Sequence, residues 1–254
     1  MDETRSLDAS ELERYARHIV LGEIGGSGQQ KLKAARVLVV GAGGLGSPVL
    51  SYLAAAGIGM LGIVDNDTVS LSNLQRQILH DTDHIGMAKT ASAARALHRL
   101  NPHVRVIEHE TRLTADNAID ILTAYDLVVD GSDNFATRYL LADTAERLEI
   151  PLVTAAVGRF DGSVTVLTPY GQDREGNPLP RFRDLFPEAP PPGLVPSCAE
   201  AGVVGALTGV IGTLQAMEVI KLLTGAGEPL IGRLLLYDGL AARFDTIRYR
   251  RKGG

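Results

Sequence analysis

Short apolar runs, closed by glycine, asparagine or aspartate, alternate along this chain with stretches whose apolar positions recur at helical spacing. Residues 37–40, Val-Leu-Val-Val, are too few for a helix and β-branched enough for a buried parallel strand. They run into Gly41-Ala42-Gly43-Gly44-Leu45-Gly46, and then Leu50, Leu53, Ala54 and Gly57 follow a helical period with Pro48 in the first turn. Residues 61–64 form a second apolar strand that ends at Asp65. Strand, glycine turn, helix and strand make a βαβ unit. Further strands are expected at 104–107, 127–129 and 151–157, with helices over 87–100, over 114–122 and from 134 onward.

This alternation predicts an α/β fold, a Rossmann-like, mainly parallel sheet with helices on both faces. Asp161-Gly162 predicts a hairpin turn into a strand at 163–167, and 234–237 and 242–249 read as closing strands, so antiparallel strands extend the sheet. Residues 7–21 read as an amphipathic N-terminal arm helix. Asp8 and Glu11 have capping-box spacing, Leu7 and Leu12 suit a hydrophobic staple, and Leu12, Tyr15, Ala16 and Ile19 form the apolar stripe. The glycine-rich stretch 22–28 reads as a link. The expected organisation is an arm and link over 1–30 and one domain over 31–254, with a nucleotide-binding half at 31–157 and a second half at 158–254. A loop at 168–197 carries 8 of the 12 prolines. The apolar stretch 203–223 must be buried in the core or in a subunit interface.

Composition narrows the function classes. A hydrophobic content of 45% and a charged content of 22% are ordinary for a globular protein of 254 residues. The formal charge of −5, with no tryptophan, gives no reason to expect nucleic-acid binding. The polar, acidic start and the expected lack of an apolar run of about 20 residues point to the cytoplasm and away from a membrane. A single cysteine, Cys198, excludes an intrachain disulfide. Its setting, between a proline-rich loop and a glycine-rich helix start, is one that lowers a thiol pKa, although a lone cysteine is more often an inert small hydrophobe.

The glycine turn defines the candidate chemistry. Gly41 permits the bend, Gly43 admits a phosphate to the backbone, Gly46 brings helix and strand together, and the helix dipole favours an anion. Asp65, at the end of the second strand, is placed to accept hydrogen bonds from a ribose. In the polar passage that follows, Asn73, Arg76, Gln77 and Lys89 are positioned to reach the same nucleotide, with Lys89 about one turn into its helix. A pyrophosphate carries about two charges, whereas a triphosphate carries nearly four and calls for added cations and Mg²⁺. Arg76, Lys89 and Arg17 supply such cations, although Arg17 also suits a surface pair with Glu13. Asp133, in Asp130-Gly131-Ser132-Asp133-Asn134, is both a candidate Mg²⁺ ligand and a candidate helix cap.

Six motifs in order, Arg14-Tyr15-Ala16-Arg17-His18, the GAGGLG loop, Ser72-Asn73-Leu74-Gln75-Arg76-Gln77, Gly86-Met87-Ala88-Lys89, Ser132-Asp133-Asn134 and Pro196-Ser197-Cys198-Ala199-Glu200-Ala201-Gly202, resemble those of bacterial E1-like adenylyltransferases. These are the molybdopterin-synthase and thiazole-pathway activating enzymes. The resemblance implies ATP-dependent adenylylation of the C-terminal glycine of a ubiquitin-like sulfur-carrier protein, with pyrophosphate released and sulfur transfer to follow in cofactor biosynthesis. It implies that Gly41, Gly43, Gly44 and Asp65 hold the nucleotide, that Asn73, Arg76 and Lys89 contact phosphates, and that Asp133 handles Mg²⁺. Arg17 is expected to reach a partner subunit's site in a homodimer, Cys198 matches a position that forms a covalent link in some relatives, and 158–254 becomes the carrier-binding half.

Two departures from the family pattern bear on this. Relatives commonly hold a structural zinc with two Cys-x-x-Cys pairs, but Arg181 and Asp184 stand at the first pair's positions and the tail has no cysteine, so no zinc site is expected. An exposed Arg181–Asp184 ion pair, worth about 0 to 1 kcal/mol, is expected to replace part of that link. The sequence also ends without a rhodanese-like domain, so a separate sulfur-donor protein is expected. Competing readings are an NAD-binding oxidoreductase, which shares the glycine loop and Asp65, and a non-catalytic scaffold for a ubiquitin-like protein.

Overall fold

In β1 (Arg36–Val40) every residue after Arg36 is buried, and the side chains alternate between two cores: Val37 and Val39 lie in one, Leu38 and Val40 in the other. A strand covered on both faces is what an unbroken apolar run implies. The computed structural model describes residues 6–191 and 202–252. Its sheet contains β1, β2 (Met60–Val64), β3 (Arg105–His109), β4 (Leu127–Asp130), β5 (Leu152–Val157), β6 (Asp161–Leu167), β7 (Arg233–Asp238) and β8 (Arg243–Arg248). The strand order is β3-β2-β1-β4-β5-β6-β7-β8, parallel from β3 to β5 and antiparallel from β5 to β8. Chain direction reverses its lateral progress between β1 and β4, and the crevice at the carboxyl ends of these two strands is where such sheets bind ligands.

The expected arm is two short helices, α1 (Ala9–Arg14) and α2 (Ala16–Ile19), that break at Tyr15. The capping box is present, with the Asp8 side chain accepting from Glu11 N and the Glu11 side chain accepting from Asp8 N. Leu12 is 49% exposed, so it does not lead a buried stripe. Tyr15 is buried instead, its hydroxyl accepting from Asn101 Nδ2 at 2.8 Å, while Lys33 pairs with Glu11 and Arg14 donates to Leu100 O. The arm therefore packs on its own chain. The expected glycine link is largely helical too, because α3 (Gly25–Ala34) begins inside it. Its glycines have low helix propensity, but Gln29, fully buried and donating to Ala56 O, and the buried Leu32 hold the helix from outside.

Other boundaries move. The β5–β6 turn is at 158–160, closed by Gly158 N donating to Asp161 O, so Asp161-Gly162 lies inside β6. Helix α4 (Gly46–Ala56) follows the glycine loop, α5 (Lys89–Leu100) starts at Lys89, and α6 (Ala118–Leu122) and α7 (Phe135–Leu148) cover the opposite face. Lys89 thus opens its helix and does not lie a turn inside it. Within the proline-rich loop, α8 (Phe182–Leu185) packs Phe182 against Tyr139 of α7.

The long helix Gly205–Thr224 packs on α4, β5 and β6. By length and composition it would suffice to cross a membrane, which corrects the expectation that no run is long enough. It buries Gln215 and Glu218, and Gln215 donates to Asp130 O at 2.8 Å, as befits a core helix. Its other face is open, with Met217 54% exposed.

Candidate nucleotide-binding site

The glycine loop turns between β1 and α4 under tight steric limits. Gly41 has φ +96°, and a side chain there would come within 2.8 Å of Gly131 O; one on Gly46 would overlap the Gly41 carbonyl. The N–H groups of Gly43, Gly44 and Leu45 have no acceptor among the described residues. Three free donors beside the start of an eleven-residue helix form an anion nest.

A cavity of about 370 Å³ opens over this nest. It gathers residues from the ends of four strands: Gly41, Gly43 and Gly44 after β1, Asp65 and Asp67 after β2, Arg112 after β3, and Asp133 and Arg138 after β4. Arg76, Gln77 and Lys89 complete it from the polar passage. Gly41, Gly43, Gly44, Asp65, Arg76, Gln77, Lys89 and Asp133 are therefore brought together as the sequence implies.

The geometry assigns several of them more specific tasks. Asp65 accepts from Ala42 N and from Asp67 N, both at 2.8 Å, so it shapes the glycine loop as well as facing the cavity. Lys89 is 4% exposed, and its ammonium lies 2.8 Å from Asp67 Oδ2, which orients a cation along the cavity wall. Asn73 does not line the cavity. Its Oδ1 accepts from Arg76 Nη2 at 3.2 Å, while Arg76 Nη1 donates to Ser72 O, so Asn73 aims Arg76. Asp133 is exposed at the rim with no partner among the described residues, and Asn134 takes the capping role by accepting from Thr137 N at 2.9 Å.

One expected residue lies elsewhere, and another is not among the described residues. Arg17 is exposed on α2, away from the cavity, and has no ion pair among the described residues, so the pairing with Glu13 is not formed; the break at Tyr15 removes the helical register it needs. Cys198 lies outside the described residues.

The sequence reading missed Asp130, Arg138 and His80. Asp130 is fully buried and accepts from Ser132 N, Ser132 Oγ and Thr154 Oγ1. Arg138 lies 3.8 Å from it, donates to Ser132 O at 3.3 Å and faces the cavity. His80 is buried beneath the loop, with Nε2 2.8 Å from Ala42 O and Nδ1 2.9 Å from Ser92 Oγ. Burial pushes its imidazolium below the usual 6.5, against the pull of the Ala42 carbonyl. Only the spacing of Arg138 from Asp133 and Asn134, one turn into the next helix, was a usable sign.

A doubly wound sheet with an anion nest and a ring of cations at its switch point defines a Rossmann-like nucleotide-binding protein. A family model described as the ThiF family matches residues 15–253, and the chain belongs to that family. It is 53% identical over 241 residues to a sulfur carrier protein adenylyltransferase of Thermus thermophilus, covering 95% of this chain and 88% of that protein. It is 50% identical to the SAMP-activating enzyme E1 of Haloferax volcanii, covering 97% and 88%, and 48% identical to a probable adenylyltransferase/sulfurtransferase MoeZ of Mycobacterium tuberculosis, covering 97% of this chain but 62% of that protein. Among solved structures, E. coli MccB with the MccA-N7isoASN peptide shares the fold with a TM-score of 0.80 at 21% identity, covering 98% of this chain and 74% of that one. PaaA does so with 0.79 at 23%, covering 99% and 77%.

Proposed function

We propose that this chain is an adenylyltransferase that uses ATP to activate the C-terminal glycine carboxylate of a ubiquitin-like sulfur-carrier protein. The carrying observation is the convergence of three cationic side chains, Arg76, Lys89 and Arg138, and three free loop N–H groups on one cavity, the donor set that a triphosphate calls for. The relative named a sulfur carrier protein adenylyltransferase supplies the substrate class.

In this reading the loop N–H groups and Arg76 hold the phosphates, and Lys89 leaves Asp67 to meet the nucleotide. The carrier carboxylate attacks the α-phosphorus, an acyl-phosphate bond forms, and the bond to pyrophosphate breaks. The fixed cations stabilise the charge that grows on the phosphoryl oxygens and the departing pyrophosphate. Asp133, a free carboxylate at the rim, suits Mg²⁺, which keeps several waters and takes one or two protein carboxylates along with phosphates. When bound, Mg²⁺ neutralises phosphate charge. A cytoplasmic homodimer, in which Arg17 completes the partner's site, and a separate sulfur-donor protein complete the proposal. Molybdopterin synthesis is the first pathway to test, with thiamine thiazole and tRNA thiolation next.

The test is ATP–pyrophosphate exchange with candidate carriers whose terminal Gly-Gly is intact or deleted. Exchange should require the intact tail and fall about a hundredfold or more in Arg76→Ala, the scale of losing one transition-state donor. Carrier binding without exchange would leave a scaffold, and tight NAD binding without carrier recognition would leave an oxidoreductase.

A further inference from the structure

A second cavity, of about 790 Å³, shares no lining residue with the nucleotide site. Its walls are the loop 173–180, the loop 228–233 and the chain after β8. In that last segment exposure alternates: Arg248, Arg250 and Lys252 are exposed, and Tyr249 and Arg251 are partly buried. The inward residues are anchors. Tyr249 N donates to Gly232 O, its hydroxyl lies 2.7 Å from Thr165 Oγ1, and burial pushes the phenol up to about 12, so the hydroxyl stays protonated. Arg251 donates to Pro169 O at 2.9 Å and to Leu179 O at 3.3 Å, and Lys252 N donates to Asp184 Oδ1 at 3.1 Å.

The outward residues form a row of cations on a fixed backbone. Same-side residues of an extended chain repeat about every 6.6 Å. Arg174 lines the same cavity from the loop 173–180, and the side chains of Arg174, Arg248, Arg250 and Lys252 have no ion-pair partner among the described residues. The wall acids Asp173 and Glu175 take hydrogen bonds from neutral N–H groups and keep their charge, and the charge of Arg250 acts on Asp173. Asp173 accepts from Glu175 N, Asn177 N and Asn177 Nδ2, and Glu228 lies 3.8 Å from Arg233. Among the residues lining the groove, six arginine and lysine side chains face three carboxylates, Asp173, Glu175 and Glu228, an excess of positive charge on a chain of net charge −5 that favours an anion.

We propose that this groove docks an extended acidic segment of a partner protein, with carboxylates at alternate positions meeting Arg248, Arg250 and Lys252 while Arg174 closes over them. Alternate side chains of an extended peptide share the repeat of the cation row. A nucleic-acid strand fits less well. The one aromatic of the lining, Tyr249, is used as an anchor, so the groove offers no face on which bases stack.

The test is fluorescence anisotropy on the full chain at physiological ionic strength, with three labelled probes. These are a peptide of alternating Glu and Ser, a peptide of the same composition with its glutamates in one block, and an oligouridylate of equal charge. The alternating peptide should bind tightest, and its affinity should fall about tenfold in R174A/R248A/R250A, a loss of about 1.4 kcal/mol. Lys252→Ala alone should give a smaller loss of the same sign, with circular dichroism showing both variants folded. An affinity unchanged in the folded variants, equal binding of the blocked peptide, or tighter binding of the oligouridylate overturns the proposal.

Discussion

Ala42 is held from both sides, its N–H by Asp65 and its carbonyl by His80. A His80 that donates from Nε2 and is neutral must accept at Nδ1, so the Ser92 hydroxyl donates to it and in turn accepts from His84 Nδ1, 2.9 Å away. Burial lowers the His80 pKa; the Ala42 carbonyl and Asp65 oppose this, while Lys89 and His84 add to it. With the folded value below the unfolded 6.5, the neutral form's contribution is complete above about pH 6.5 and is lost as pH falls beneath it. The KM for ATP should therefore rise as pH drops from neutral toward 5, and His80→Gln, which donates without titrating, should flatten that profile. His80→Ala should raise the KM about tenfold at neutral pH, the cost of one lost buried hydrogen bond. A pH profile that is identical in His80→Gln would refute the assignment.

At the scale of elements, the proline-rich loop and the tail meet at Asp184. The carboxylate is buried, and it accepts from Arg181 N at 2.7 Å and from Lys252 N at 3.1 Å, with Arg181 Nε at 3.6 Å. The expected exposed ion pair is thus a buried hydrogen-bonded link, because the carboxylate binds backbone donors from two segments. Burial pushes the Asp184 pKa up, but these donors and the Arg181 charge outweigh it, and the result lies below the usual 3.8. Its stabilisation is present above about pH 3.8 and disappears as pH falls through the lower folded value. Asp184→Ala should lower the unfolding free energy by about 1 to 3 kcal/mol, measured in urea, and should speed proteolysis of the tail. The strands, the glycine turn and most helices were legible because their apolar periods are local. Helix α3 was not, since Gln29 and Leu32 are fixed by α2, by α4 and by the core, which no local pattern records. For the same reason Arg76 and Lys89 were readable from their motifs, but the Asn73–Arg76 and Asp67–Lys89 pairings were not.

At the scale of the molecule, one sheet joins the nucleotide cavity to the strands of the second half, and the long helix leaves an apolar face toward solvent. Arg17 stands outside the cavity although its arm is anchored at Tyr15, so a role in catalysis requires a second chain. Mixing inactive Arg17→Ala with inactive Arg76→Ala should restore roughly a quarter of native exchange. In the proposed homodimer half of randomly paired dimers are mixed, and each mixed dimer has one intact site. Mixtures that stay inactive while the subunits exchange would place Arg17 outside the reaction.

The two-sided grip on Ala42 has a thermodynamic consequence. A mobile glycine loop loses conformational entropy when it closes on a ligand, whereas here that loss is incurred at folding. Nucleotide binding then need not order Ala42, and its entropy cost falls on the nucleotide itself and on Lys89 as it leaves Asp67. The loop's stiffness becomes affinity without any added contact.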